Sequence, residues 1–276
     1  MTNAIVYAMY SDIDNVDNLL QWRELLYSVK TLRQHNKEIP VKVYLSPSHL
    51  VNNISMFPDM NNLEIIGIDN EVTHSLPNEQ VAKWLDMKYN ASFHALENYG
   101  YDRVLMIDAD TIYQNDPNVI FDKYNSDIFY ACPDNFNELF ELIGSTSKFM
   151  NDGVVIVPNW AAKIKNELIA VRNGYVQELM DKFNGKVDKQ SHVWVYGICW
   201  ASFQYGIFNY LTKINKPLGY FGKHDVATLL DFHELRDDQK TTPPIVHYWS
   251  VGYKDFLPEE YLIGLEDKMY KSISSE

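Results

Sequence analysis

Two aspartates one residue apart, Asp108 and Asp110, follow the strand signal "RVLMI" at residues 103–107, apolar from Val104 onward. Burial of an unpaired carboxylate is costly, so both must be solvated, hydrogen-bonded or neutralised by positive charge. Two carboxylates converging at a strand end suit a hard divalent cation, which prefers oxygen ligands and can bridge to phosphate oxygens. Loop hydrogen bonds are an equally good use of such a pair, and the triplet alone does not choose. A second triplet, Asp12 and Asp14, lies in a polar segment with Asn15 and Asp17 after the first strand. There, helix capping and solvation are the better reading. Further along, "KFMNDGVVIVPNW" (148–160) sets Asn151 and Asp152 before a buried strand, and "IVHYWSVGYK" (245–254) ends an apolar run in His247, with Gly252 and Lys254 beyond it. Taken alone His247 reads more simply as a core or loop histidine. As a neutral imidazole it could complete a metal site, and the glycine and lysine could approach phosphate.

The elements that must position these residues read as strands and helices in alternation, the pattern of a mostly parallel sheet flanked by helices. "AIVYAM" (4–9), "VKVYL" (41–45), "LEIIGI" (63–68), "RVLMI", "IFYA" (128–131), "GVVIVP" (153–158) and the short "IVHYW" are strand signals. Leu19, Trp22, Leu25, Leu26, Val29 and Leu32 recur at helical steps, and further helices are expected over 78–99, 160–183 and 192–211, the last interrupted by Gly197 and Gly206. The polar segment 233–244 reads as a surface loop. Asp108 and Asp110 thus stand at the carboxyl end of a central strand, where open α/β sheets place their ligands. One domain over 1–276 with a single sheet is expected.

A formal net charge of −13 argues against general affinity for nucleic acid or anionic lipid. Any anionic ligand then needs a local device such as a metal ion. The amino terminus shows no basic flank before a long apolar core, and no stretch is long enough to span a bilayer, so a soluble, untargeted chain is expected. Cys132 and Cys199 are read as buried thiols, which points to a reducing, cytoplasmic setting.

Four blocks in order, "AIVYAMYSD", "DRVLMIDADTIYQNDPNVIFD", "MNDGVVIVPNW" and "IVHYWSVGYK", resemble nucleotide-sugar glycosyltransferases of the GT-A fold, specifically family 8, the group of glycogenin and the bacterial lipooligosaccharide galactosyltransferases. The resemblance implies manganese or magnesium held by Asp108, Asp110 and His247, with Ala109 beside the ribose. It places Ala8, Tyr10 and Asp12 along the uracil and ribose pocket of a UDP-sugar donor. Asn151 and Asp152 would meet the donor or acceptor sugar, and Lys254, with Gly252, the diphosphate. Lys83 or, preferably, Lys88 would reach the donor; a solvated helix face is the competing use of both. In the acceptor-side pair, Asp188 and Gln190 compete within "VDKQSH". Gly252 and Lys254 follow His247 by five and seven residues, further than the family spaces them, and Asp255-Phe256 replaces its Pro-Trp.

The implied activity is retaining transfer of a hexose or related sugar to a glycan, glycoconjugate or protein, with Asp188, and behind it Asp152, as the carboxylate at the reacting face. Tyr196, Trp200, Tyr248, Trp249 and Tyr253 offer rings for sugar stacking, although a helical core is the better use of the 192–211 stretch. Two other readings compete. A haloacid-dehalogenase-type phosphohydrolase also carries Asp-x-Asp at a strand end, but normally on its first strand. A non-catalytic nucleotide-sugar or glycan binder could keep the fold without the reaction.

Overall fold

The computed structural model describes residues 1–12, 14, 16–55, 61–69, 79–134, 149–184, 198–237, 242–248 and 256–262. Its main sheet has seven strands in the order β3-β2-β1-β4-β7-β6-β8. They are β1 (Asn3–Tyr10), β2 (Val41–Ser46), β3 (Leu63–Gly67), β4 (Arg103–Ile107), β6 (Phe129–Asp134), β7 (Phe149–Pro158) and β8 (Leu218–Tyr220). The β3-β2-β1-β4 half is parallel, and β7 joins it antiparallel to both β4 and β6. This mostly parallel sheet flanked by helices is the architecture expected from the sequence.

Both faces are buried, which is why the central strands are continuously apolar. Alternate residues serve opposite layers: Ala4, Val6, Val104 and Met106 face one core, and Ile5, Tyr7, Leu105 and Ile107 the other. The first layer is closed by helix α2 (Glu79–Tyr99), through Leu85, Tyr89, Phe93 and Leu96. The second is closed by α1 (Leu20–His35), whose Trp22, Leu25, Val29 and Leu32 form one fully buried stripe. Further along the chain lies α3 (Asn118–Lys123), which buries Ile120 and Phe121 in the second layer.

Several expectations need correction. The sheet is not single: β5 (Thr111–Tyr113), β10 (Ile245–His247) and β9 (Val226–Thr228) form a second, three-stranded sheet. β10 falls in the strand signal "IVHYW", whereas β5 and β9 are too short to show periodicity in sequence, and only pairing defines them. The helix over 160–183 is two pieces, α4 (Asn159–Ala162) and α5 (Lys165–Phe183), separated at 163–164. The described part of the aromatic stretch, α6 (Ile198–Lys213), runs through Gly206 without a break, while Gly197 is outside the described residues. Residues 233–237 belong to α7 (Leu229–Asp237), not to a loop, because Leu235 anchors that polar stretch in the interior. The first triplet does not cap α1: its N-cap is Leu19, with no side-chain cap. Asp14 instead bonds His49 at 2.9 Å, Asp12 accepts from the Tyr10 hydroxyl, and both stay exposed.

Candidate metal and donor site

The chain leaves β4 through Asp108 and Asp110 directly into β5, so the two sheets meet at the triplet. In the small sheet His247 pairs with Thr111 on one side and Thr228 on the other. The backbone N–H of Tyr248 donates to Asp110 O at 3.0 Å. These bonds carry a histidine more than a hundred residues downstream onto the aspartates. One ligand atom from each of Asp108, Asp110 and His247 lies within 4.8 Å of the other two. His247 Nε2 is 3.2 Å from Asp110 Oδ1 and 3.8 Å from Asp108 Oδ2.

Lys88 comes up from α2 beneath them. Its ammonium is buried and stands 2.8 Å from Asp108 Oδ1 and 3.3 Å from Asp152 Oδ1. The solvated-face reading is thereby excluded for Lys88. Burial alone would lower its pKa, but the two carboxylates outweigh that and hold it above the ordinary lysine value. Asp108 is pushed up to about 6, chiefly by burial, with Lys88 pulling the other way. His247 is also held above its ordinary value: burial would lower it, but Asp110 and Asp108 prevail.

Asp152 is placed by an irregularity in β7. Ala131 of β6 pairs with Val155, yet Cys132 pairs with Asn151, so residues 152–154 bulge from the ladder. Met150 and Val155 consequently share the α2 layer, whereas Val154 faces the α1 layer. Bulges beside functional sites re-aim side chains in this way. The Asn-Asp-Gly segment therefore lies inside the strand, not before it. Asn151 Oδ1 accepts from the Gly153 N–H at 2.9 Å, and Gly153 O accepts from the Asp108 N–H at 2.8 Å. Gly153 also sits against His247: a Cβ built there would be 2.0 Å from Cε1 of the imidazole.

Of the other expected residues, Tyr10 ends β1 with the Lys83 ammonium 5.4 Å from its ring centroid. Ala8 packs on the α2 layer and Ala109 on the α1 layer, both half-buried. Tyr248 is not a sugar platform; it is fully buried and stacks on Phe256 at 4.9 Å. Asp188, Gln190, Gly252 and Lys254, with Tyr196, Trp249 and Tyr253, lie outside the described residues. Sequence reasoning missed Gln204 of α6, whose Nε2 donates to Asp152 Oδ1 at 3.1 Å. Its signal was a lone amide in an otherwise apolar helical turn. Cys132 is buried and in no disulfide, and among the described residues no helix is long and apolar enough to cross a membrane.

No known protein-family model matches the chain, and no curated protein sequence matches it. Solved structures do. The galactosyltransferase LgtC, in complex with donor and acceptor sugar analogues, matches with a TM-score of 0.53 over 96% of this chain and 100% of its own, at 15% identity. An active-site mutant of LgtC matches at 0.54 with 16% identity and the same coverage. Mouse xyloside xylosyltransferase 1 matches at 0.50 over 90% of this chain and 98% of its own, at 10% identity. Likeness at such identities establishes architecture, and the architecture is that of the GT-A glycosyltransferases.

Proposed function

We propose that this chain is a metal-dependent glycosyltransferase of family 8 type, moving a hexose or related sugar from a UDP-sugar to a glycan, glycoconjugate or protein acceptor with retention. The observation that carries the reading is the convergence of Asp108, Asp110 and His247 at the end of β4, on a glycosyltransferase fold. The donor set fits a divalent ion. Oxygen and imidazole ligands suit manganese or magnesium, and the three carboxylates with Lys88 and a neutral His247 leave two formal negative charges for such an ion to balance. When bound, the metal supplies electrostatic stabilisation of the charge that builds on the departing nucleotide.

The chain's own residues divide the remaining work. Ala8, Tyr10 and Asp12 are assigned to the nucleoside end, with Lys83 bracing the Tyr10 ring. Lys88 serves first as a clamp on Asp108 and Asp152, and through them on the geometry of the metal ligands. Asn151, Gln190, Gly252 and Lys254 are assigned to the donor, and Asp188 to the reacting face, on the family resemblance. A cytoplasmic setting is part of the proposal, in keeping with the buried Cys132 thiol. A haloacid-dehalogenase reading needs the triplet on the first strand, whereas here it ends β4.

Thermal unfolding with UDP, with and without manganese, tests the proposal in the native chain and in Asp110→Asn. A ligand that binds only the folded state raises its melting temperature. Stabilisation that requires both UDP and manganese, and disappears in the variant, is expected. UDP that is inert with every divalent metal would refute the donor site. Slow release of sugar from a UDP-sugar into water then separates a transferase from a non-catalytic binder, which releases none.

A further inference from the structure

Asp152 is a buried carboxylate with one oxygen engaged and one not. Oδ1 accepts from Gln204 at 3.1 Å and faces the Lys88 ammonium at 3.3 Å. Oδ2 is shielded from solvent and has no hydrogen-bond partner among the described residues. A shielded acceptor left unmade is expensive, and an apolar side chain in its place would avoid the cost. Gln204 is likewise a buried polar side chain, 9% exposed on a helix that otherwise offers apolar packing through Ile207 and Leu211. Two donors from two different helices, α2 and α6, converge on a single oxygen. That arrangement fixes the carboxylate plane and reserves the other oxygen for a donor from elsewhere.

The position of Asp152 indicates what that donor is. Lys88 joins it to the metal ligand Asp108, and Gly153, the next residue, holds the Asp108 backbone and packs on His247. On the transferase reading, a sugar carried on a metal-held diphosphate lies beside this cluster and presents hydroxyl groups, which are neutral donors of the required size. We infer that Gln204 is a positioning residue for donor-sugar selectivity: with Lys88 it fixes Oδ1, so that Oδ2 of Asp152 accepts a hydrogen bond from one hydroxyl of the transferred sugar. This deepens the proposed function and rests on it.

The test measures binding, with manganese present, of UDP, UDP-glucose, UDP-galactose and UDP-N-acetylglucosamine, and of deoxy analogues of whichever binds tightest. The native chain is compared with Gln204→Met and Asp152→Asn. A hydrogen bond to a charged acceptor is worth about tenfold or more in affinity. The native chain is expected to lose about that factor when one particular sugar hydroxyl is removed. Gln204→Met should lower affinity for the intact UDP-sugar by a similar factor while changing that for UDP less than twofold, and should make the deoxy analogue no worse than the parent. That non-additivity is a signature a purely structural role does not produce. Equal weakening of UDP and UDP-sugar, or additive losses from mutation and deoxygenation, overturns the inference, as does a native chain that binds UDP but no UDP-sugar any tighter. Absence of UDP binding to the native chain is a different failure and removes the donor site itself. The native-chain deoxy series stands even if either variant fails to fold.

Discussion

Replacing Gly153 by alanine is the smallest change that sets the fold against the site. The backbone there is ordinary for any residue, since Gly100 is the glycine with positive φ among the described residues; the constraint is space. The new Cβ would lie 2.0 Å from Cε1, 2.3 Å from Nδ1 and 2.8 Å from Nε2 of His247. Carbon atoms rest at about 3.5–4.0 Å, so a displacement of more than an ångström is required. His247 is 4% exposed and has little room to swing. Either the ring leaves Asp110, 3.2 Å away, or β7 retreats and breaks the 2.8 Å bond from the Asp108 N–H to Gly153 O. Overpacking of this kind costs about 1–3 kcal/mol. For a domain of this size that lowers the melting temperature by roughly 2–5 °C. Disturbing even the groups that orient a metal ligand weakens metal binding about 10–100-fold, and on the proposed function this change moves a ligand itself. Thermal unfolding in chelator gives the first quantity, and manganese titration of the UDP-induced stabilisation gives the second. A Gly153→Ala protein with native stability and native manganese dependence would refute the packing argument.

The other predictions concern charge. Lys88→Met leaves Asp108 and Asp152 without their shared ammonium; breaking such a buried pair costs about 3–5 kcal/mol, measurable by urea unfolding in chelator, and a loss below about 1 kcal/mol would show that water reaches the cluster. Asp108, at about 6, and His247, held above its ordinary value, both keep protons in the folded state that they have released in the unfolded chain. Their contribution to metal-free stability is therefore present at low pH and declines as pH rises, through about pH 4–6 for Asp108 and above about pH 6.5 for His247. Relative to Asp108→Asn, the metal-free native chain should lose up to about 3 kcal/mol between pH 4 and 7; a relative gain over that range contradicts the sign.

What sequence reveals depends on how local its cause is. The Asp108–Asp110 pair was legible because the strand before it is apolar at every position from Val104 to Ile107, a pattern that two-sided burial imposes. His247 ends another apolar run, where a core or loop histidine was the simpler reading, and only the family resemblance singled it out as a ligand. Asp12 and Asp14 misled because a polar segment before a helix looks like a cap, whereas the chain enters α1 at Leu19 and spends those carboxylates on Tyr10 and His49. For Lys88 a solvated helix face competed with a donor contact because a lysine on a helix is normally solvated; only the packing of α2 against β1 and β4 buries it between two carboxylates.

By itself, then, the sequence determined the alternating layers and the central strand, because periodicity is a property of short segments, while the grouping of Asp108, Asp110 and His247 as a metal set came from the family resemblance. Tertiary structure alone decided the second sheet that delivers His247 to the triplet, the bulge that turns Asp152 toward α2, the approach of Gly153 to the imidazole, and the grip of Gln204 on Asp152. Each of these joins segments far apart in the chain, and pairing or close packing between distant segments leaves no periodic mark on either one.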